Sequence, residues 1–153
     1  VRIVGLDVGR KRIGVAISDA TGQLARPEGT LQVPDLGPGA VRSAVAEIAR
    51  LGAEDGGVGA VVVGLPAHLD GSPSDMTAHV RAFASELARL LPVPVALQDE
   101  RLTSREAESR LASTIKDWRT RKARLDAAAA AVILQDYLDG RAQPAPVAEP
   151  RDA

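Results

Sequence analysis

Apolar positions fall into two rhythms along this chain, short continuous runs and three-to-four-residue repeats, and together they outline the fold. Two apolar runs open the sequence, roughly residues 2–8 and 12–18, joined by the polar turn Gly9-Arg10-Lys11. So short a link can only join antiparallel strands. A weaker strand signal follows at about 29–33, giving a three-strand meander. Val41, Ala44, Val45, Ile48 and Leu51 then recur at helical spacing, which predicts a helix over 40–51 that Gly52 stops. The run Ala60-Val61-Val62-Val63-Gly64-Leu65 reads as a strand covered on both faces. A loop at 66–74 leads to a second helix, 75–91, with Val80, Phe83, Ala84, Leu87, Leu90 and Leu91 inward. Residues 92–98 predict another buried strand, ending on Asp99-Glu100-Arg101. Thr103 and Glu106 have the spacing of a capping box, so a helix is expected from there to about 112. Residues 113–124 are polar and basic and read as a connection, and 125–138 predict a final Ala-rich helix stopped by Gly140.

The order β-β-β-α-β-α-β-α-α implies an α/β fold. Hairpins make the first half of the sheet antiparallel, and helices alternating with buried strands make the second half parallel. The expectation is a mixed five-stranded sheet with helices on both faces, occupying residues 1–140. The Pro- and Ala-rich residues 141–153 have nothing to pack and are expected to form a disordered tail.

Composition narrows the chemistry. With 153 residues and 45% apolar content the chain can bury a core, and with only 2% aromatics that core must be Val, Leu, Ile and Ala. There are no cysteines, so disulfides, thiolate metal sites and a Cys nucleophile are excluded. No apolar run is long enough for a membrane span and no signal-peptide pattern is visible, so no membrane partner and a cytoplasmic location are expected. The formal net charge of −1 announces no global basic field, so any nucleic-acid contact must come from a local patch.

Three acids stand where acids are costly. Asp7 lies at the end of the first buried strand, and a carboxylate there demands a metal, a basic partner or hydrogen bonds. Asp126 shares a helix face with Ala129, Ala130, Ile133 and Tyr137. It is either an acid favouring the helix N-terminus, by capping or the dipole, or a ligand turned toward the sheet. Asp99 and Glu100 end a buried strand, where consecutive side chains point to opposite faces, so at most one of them faces Asp7. Which one is open at this point. Asp7, Glu100 and Asp126 together suggest a carboxylate cluster for Mg²⁺ or Mn²⁺, a two-metal site able to clamp the attacking and leaving oxygens of a phosphodiester displacement. His68 and His79 are the only histidines, which argues against zinc.

Lys116, Trp118, Arg119, Arg121, Lys122 and Arg124 form a basic stretch directly before Asp126. Arg and Lys hold phosphates, and the lone Trp can stack on an unpaired base. Arg10, Lys11 and Arg12, beside Asp7, offer a second nucleic-acid contact surface.

Gly5-Leu6-Asp7-Val8-Gly9 with Arg12-Ile13-Gly14-Val15-Ala16-Ile17-Ser18-Asp19 closely resembles the YqgF family, also called RuvX. These are bacterial RNase H-like proteins described as Holliday junction resolvases or pre-16S rRNA nucleases. The likeness continues through Val63-Gly64-Leu65-Pro66, Asp70-Gly71-Ser72, Val80-Arg81-Ala82-Phe83 and Asp99-Glu100-Arg101-Leu102-Thr103-Ser104. It closes with Leu125-Asp126-Ala127-Ala128-Ala129-Ala130 and Ile133-Leu134-Gln135-Asp136-Tyr137-Leu138-Asp139, covering nearly everything but the tail. The resemblance implies the RNase H-like sheet, with Asp7 bridging the metals, Glu100 and Asp126 holding either side, and Asp99 and Asp19 as outer-shell groups. Ala67-His68-Leu69 departs from the more polar loop that family members often carry.

The activity this implies is metal-dependent phosphodiester hydrolysis, with 5′-end processing of pre-16S rRNA in ribosome biogenesis as the favoured substrate reading. Resolution of branched DNA is one alternative, and a non-catalytic RNA-binding factor on ribosomal particles is another. Monomer and homodimer both remain open. The first hairpin also resembles the phosphate-binding hairpin of actin-like ATPases and sugar kinases, but those folds are duplicated and this chain holds one half.

Overall fold

The computed structural model of the chain describes residues 1–54, 56–67, 70, 72–99 and 118–141, the last segment in backbone only over 118–125. Five strands form one sheet: β1 (Arg2–Val8), β2 (Arg12–Ser18), β3 (Ala25–Gln32), β4 (Val58–Leu65) and β5 (Val95–Asp99), in the order β3-β2-β1-β4-β5. β1 and β2 pair antiparallel, as do β2 and β3, while β4 runs parallel to both β1 and β5. Among the described residues three helices cover it: α1 (Pro38–Gly52), α2 (Thr77–Leu90) and α3 (Trp118–Arg141). The sheet is the one the apolar runs imply. The helix expected over 103–112 and the tail 142–153 lie outside the described residues.

Side-chain alternation sends the two faces of the sheet to different partners. Val4, Leu6, Val8, Ile13, Val15, Ile17, Val61 and Val63 form a buried cluster with Val41, Ile48 and Leu51 of α1 and Val80, Phe83 and Leu87 of α2. On the opposite face, Ile3, Ala16 and Val62 pack against Ala130, Ile133, Leu134 and Leu138 of α3. The second cluster is smaller because the strands present glycines there. A Cβ on Gly5 would lie 2.8 Å from the Leu134 Cβ and 3.1 Å from the Ala130 carbonyl oxygen. A Cβ on Gly14 would lie 2.0 Å from the Asp126 carbonyl oxygen. These two positions let α3 lie directly on the sheet.

Several bounds differ from the sequence pattern for identifiable reasons. β3 begins at Ala25, not near residue 29, because Arg26, Pro27 and Glu28 carry no apolar signal. Proline is tolerated on an edge strand, and the register shifts where Pro27 meets Ala16. β5 starts later than expected, after Pro92 and Pro94. α3 as described includes Trp118, Arg119, Arg121, Lys122 and Arg124, so most of the basic stretch is helix and not a connection. Arg, Lys and Ala favour helix without producing any apolar periodicity. The helix also runs one residue past Gly140.

Candidate metal and nucleic-acid site

Asp7 stands at the carboxyl end of β1, where the register sets it directly opposite Gly14 of β2. Residues directly opposite in an antiparallel pair share a face, so the Asp7 side chain lies on the face covered by α3. It is half-buried and has a polar or ionic partner in the fold. Gly14 is also where α3 touches β2, at the backbone of Asp126 and Ala127. The helix therefore brings Asp126 onto the same face as Asp7, next to its cross-strand neighbour. Small side chains are needed for this approach. Ala127, Ala129 and Ala130 are buried, and Gly14 has no side chain to hold the helix off.

The helix N-terminus does not account for Asp126. It lies eight positions inside α3, about 12 Å from the helix start. A capping or dipole role fades within the first turn. Its carboxylate instead accepts a hydrogen bond from Arg12, Nε to Oδ2 at 2.8 Å, forming an ion pair between two part-buried side chains. Arg12, Gly14, Ala16 and Ser18 alternate onto the α3 face, so the residue read as a phosphate contact is in this structure the partner of an acid. The hairpin tip is closed by the Gly9 amide donating to the Arg12 carbonyl at 2.8 Å. Arg10 and Lys11 are exposed on it.

Two acids named from the sequence stand elsewhere. Asp99 pairs with Leu65, and the β5 residues of the same parity, Val95 and Leu97, pack into the α1/α2 cluster. Asp99 therefore belongs to the face away from Asp7. Gln98, level with Gly64, is the β5 residue on the α3 face. Asp19 follows β2 at the other end of the sheet, since Ile17 pairs with Val4 while Gly14 pairs with Asp7. Asp19 lies five residues beyond Gly14, roughly 16 Å along the strand direction. Asp19 builds a turn: it accepts from the Thr21 hydroxyl at 2.7 Å and from the Gln23 and Leu24 amides at 2.9 and 3.1 Å. The Thr21 hydrogen bond, aided by the two amides, lowers its pKa to about 2. Asp19-Ala20-Thr21-Gly22 after a strand is an ordinary turn signal.

Glu100, His68 and Lys116 lie outside the described residues, and Trp118, Arg119, Arg121, Lys122 and Arg124 are placed in α3 by backbone alone. Among the described residues no group of three His, Cys, Asp or Glu gathers to hold a metal ion, so Asp7 and Asp126 need a further donor. What they do offer fits a hard cation. Both donors are carboxylates on one face, with no thiol anywhere in the chain. The location fits as well: in open α/β sheets, ligands bind beyond the carboxyl ends of the parallel strands, and β1, β4 and β5 all end here. Among the described residues, no helix is long and apolar enough to cross a membrane.

Known proteins resemble this chain in sequence and in fold. A protein of Anaeromyxobacter sp. (strain Fw109-5) named "Putative pre-16S rRNA nuclease" is 46% identical over 143 residues, which cover 92% of this chain and 98% of that one. A Chloroflexus aggregans protein of the same name is also 46% identical, over 93% of this chain and 96% of its own. Among solved structures, T. thermophilus RuvC in complex with Holliday junction substrate superposes with a TM-score of 0.53 at 16% identity, covering 93% of this chain and 96% of that one. The fowlpox virus Holliday junction resolvase gives 0.54 at 14% identity, covering 91% and 98%. These two likenesses establish the RNase H-like fold. The model of one family, described as "RuvX: Holliday junction resolvase", matches residues 1–140, and the chain belongs to that RuvX family.

Proposed function

We propose that this protein is a divalent-metal-dependent endonuclease that hydrolyses phosphodiester bonds, with Asp7, Asp126 and Glu100 as its metal ligands. The observation that carries this reading is the contact at Gly14, which puts Asp126 on the same sheet face as Asp7, at the carboxyl ends of the parallel strands. Asp7 is fixed by a buried strand and Asp126 by a helix seated on that strand's neighbour. Two carboxylates carried on one face by rigid elements are the kind of preorganised donors a hard cation takes. Strand alternation, with Gln98 on this face and Asp99 on the other, favours Glu100 as the third ligand.

Mg²⁺ or Mn²⁺, as a two-cation site, supplies charge neutralisation at the phosphate and a lower pKa for the attacking water. The chain's own residues do the rest. Asp7 and Asp126 orient the site, α3 closes one wall, and the α1/α2 core keeps β1 rigid beneath it. Arg10 and Lys11 on the hairpin, Trp118, Arg119, Arg121, Lys122 and Arg124 in α3, and Lys116 just before them in sequence, attract and position the phosphate backbone.

The substrate we propose is precursor 16S rRNA, cut near its 5′ end in the cytoplasm, in keeping with the names of the full-length relatives. The family's description favours a second reading, a resolvase acting on four-way DNA junctions. Symmetric junction cleavage needs two sites related by a two-fold axis, whereas trimming a precursor needs one. Cleavage of a labelled precursor 16S 5′ fragment and of a mobile four-way junction, each in Mg²⁺, Mn²⁺ and EDTA, separates them. Metal-dependent cutting of the RNA alone supports the proposal, and cutting of the junction alone transfers it to DNA. Binding without cutting of either overturns the nuclease reading in favour of a non-catalytic RNA-binding factor.

A further inference from the structure

The Arg12–Asp126 pair joins a residue of the basic hairpin strand to an acid of the metal site. The Arg12 Nε donates to Asp126 Oδ2 at 2.8 Å, and both side chains are about one-third exposed or less, at 30% and 28%. Arg12 leaves the β1–β2 hairpin two residues before Gly14, on the same face, and follows the exposed Arg10 and Lys11 in sequence. A guanidinium is a planar fork suited equally to a carboxylate and to a phosphate.

We propose that Arg12 is an exchangeable counter-ion: it neutralises Asp126 in the metal-free protein, yields that carboxylate to the entering cation, and then takes a phosphate of the nucleic acid. The inference rests on the metal-site reading above. Its physical basis is charge. Arg12 holds Asp126 through Oδ2, and a positive guanidinium at hydrogen-bonding distance from a ligand opposes a divalent cation. The cost of releasing the pair is small, because part-exposed ion pairs are weak. Once released, the guanidinium is available to a phosphate of the nucleic acid. Metal and nucleic acid then favour each other's binding through Arg12, as linkage requires.

Two measurements on the full chain test this. The first is Mn²⁺ affinity without nucleic acid, by titration calorimetry, for wild type, Arg12→Gln, Arg12→Lys and Asp7→Asn. Removing the competing charge should tighten Mn²⁺ binding by about three- to tenfold in Arg12→Gln. Arg12→Lys should stay near wild type, and Asp7→Asn should lose binding. The second is the salt dependence of binding to a short single-stranded RNA, in Ca²⁺ and in EDTA. Arg12→Gln should lower the slope by about 0.7, one phosphate contact, in Ca²⁺ and leave it unchanged in EDTA.

Mn²⁺ binding by wild type that Asp7→Asn does not reduce, or no binding at all, defeats the metal site itself and the exchange with it. Mn²⁺ binding that depends on Asp7 but is equal or weaker in Arg12→Gln overturns the exchange alone. An equal loss of slope in Ca²⁺ and EDTA makes Arg12 a constitutive phosphate contact and also overturns it. Arg12→Lys keeps the charge and guards against a variant that merely misfolds.

Discussion

Replacing Gly14 by Ala adds one methyl group at the point where the helix bearing Asp126 touches the strand paired with Asp7. The new Cβ would lie 2.0 Å from the Asp126 carbonyl oxygen, 2.5 Å from its carbonyl carbon and 3.2 Å from the Ala127 amide nitrogen. These are backbone atoms in mid-helix, so no rotamer change relieves the clash. Ordinary contact needs about 3.5 Å, so α3 must retreat by roughly 1.5 Å at this turn. Overpacking of this kind costs about 1–3 kcal/mol, a loss of roughly 3–10 °C in melting temperature for a chain of this size. The loss at the site is larger in proportion. A displacement of about 1 Å in a catalytic group costs on the order of 100-fold in rate. Gly14→Ala should therefore fold, melt several degrees lower, and cut its nucleic-acid substrate at about 1% of the wild-type rate, with weakened Mn²⁺ binding. Gly29→Ala is the control, since a Cβ there meets nothing within 4 Å, and it should leave both properties unchanged. A Gly14→Ala protein that melts lower yet cleaves and binds Mn²⁺ as wild type would refute the claim that this contact sets the position of Asp126.

Asp19 should matter to stability and not to cleavage: Asp19→Ala should melt below wild type at pH 7 and cleave at the wild-type rate. Its folded pKa is lowered to about 2 by the Thr21 hydroxyl and the two turn amides. A depressed carboxylate stabilises the fold above its unfolded value, near 4, and loses that contribution as pH falls toward the folded one. The difference in melting temperature should thus shrink between pH 4 and pH 2. Replacing Arg119, Arg121 and Lys122 together by Ala should weaken nucleic-acid binding and flatten its salt dependence by about two units for a single strand. An unchanged slope in a binding titration removes that turn of α3 from the interface.

The sheet was legible because its strands are unambiguous. Val61 to Val63 and Ile13 to Ile17 are buried nearly throughout, and an all-aliphatic core leaves little choice of partner. Asp7 was legible for the same reason, as a charge ending an apolar run. Helical periodicity put Asp126 on the same face as Ala130 and Ile133, both of which are buried on the sheet. What the pattern hid was of two kinds. Polar residues with good intrinsic propensity leave no periodic trace, so residues 118–124 read as a connection although they continue the helix. Long-range geometry leaves no trace either. That Asp19 and Asp7 lie at opposite ends of the sheet follows from antiparallel register, which a motif read as a linear string conceals. Gly14 did carry a signal, since an isolated glycine inside a strand pattern marks close backbone approach. Arg12 shares its parity, so its place on the acid's face was implicit in the same pattern.

If Asp7 and Asp126 form one metal-dependent hydrolytic site, cleavage needs both carboxylates and folding needs neither. The most direct test compares cleavage of the precursor 16S fragment by wild type, Asp7→Asn and Asp126→Asn, in Mg²⁺ and in EDTA, with thermal melts of all three. The predicted result is cutting by wild type in Mg²⁺ only, a loss of at least about 1,000-fold in each variant, and cooperative melting preserved in both. Cleavage that persists in a folded Asp7→Asn or Asp126→Asn protein, or that survives EDTA, would contradict it.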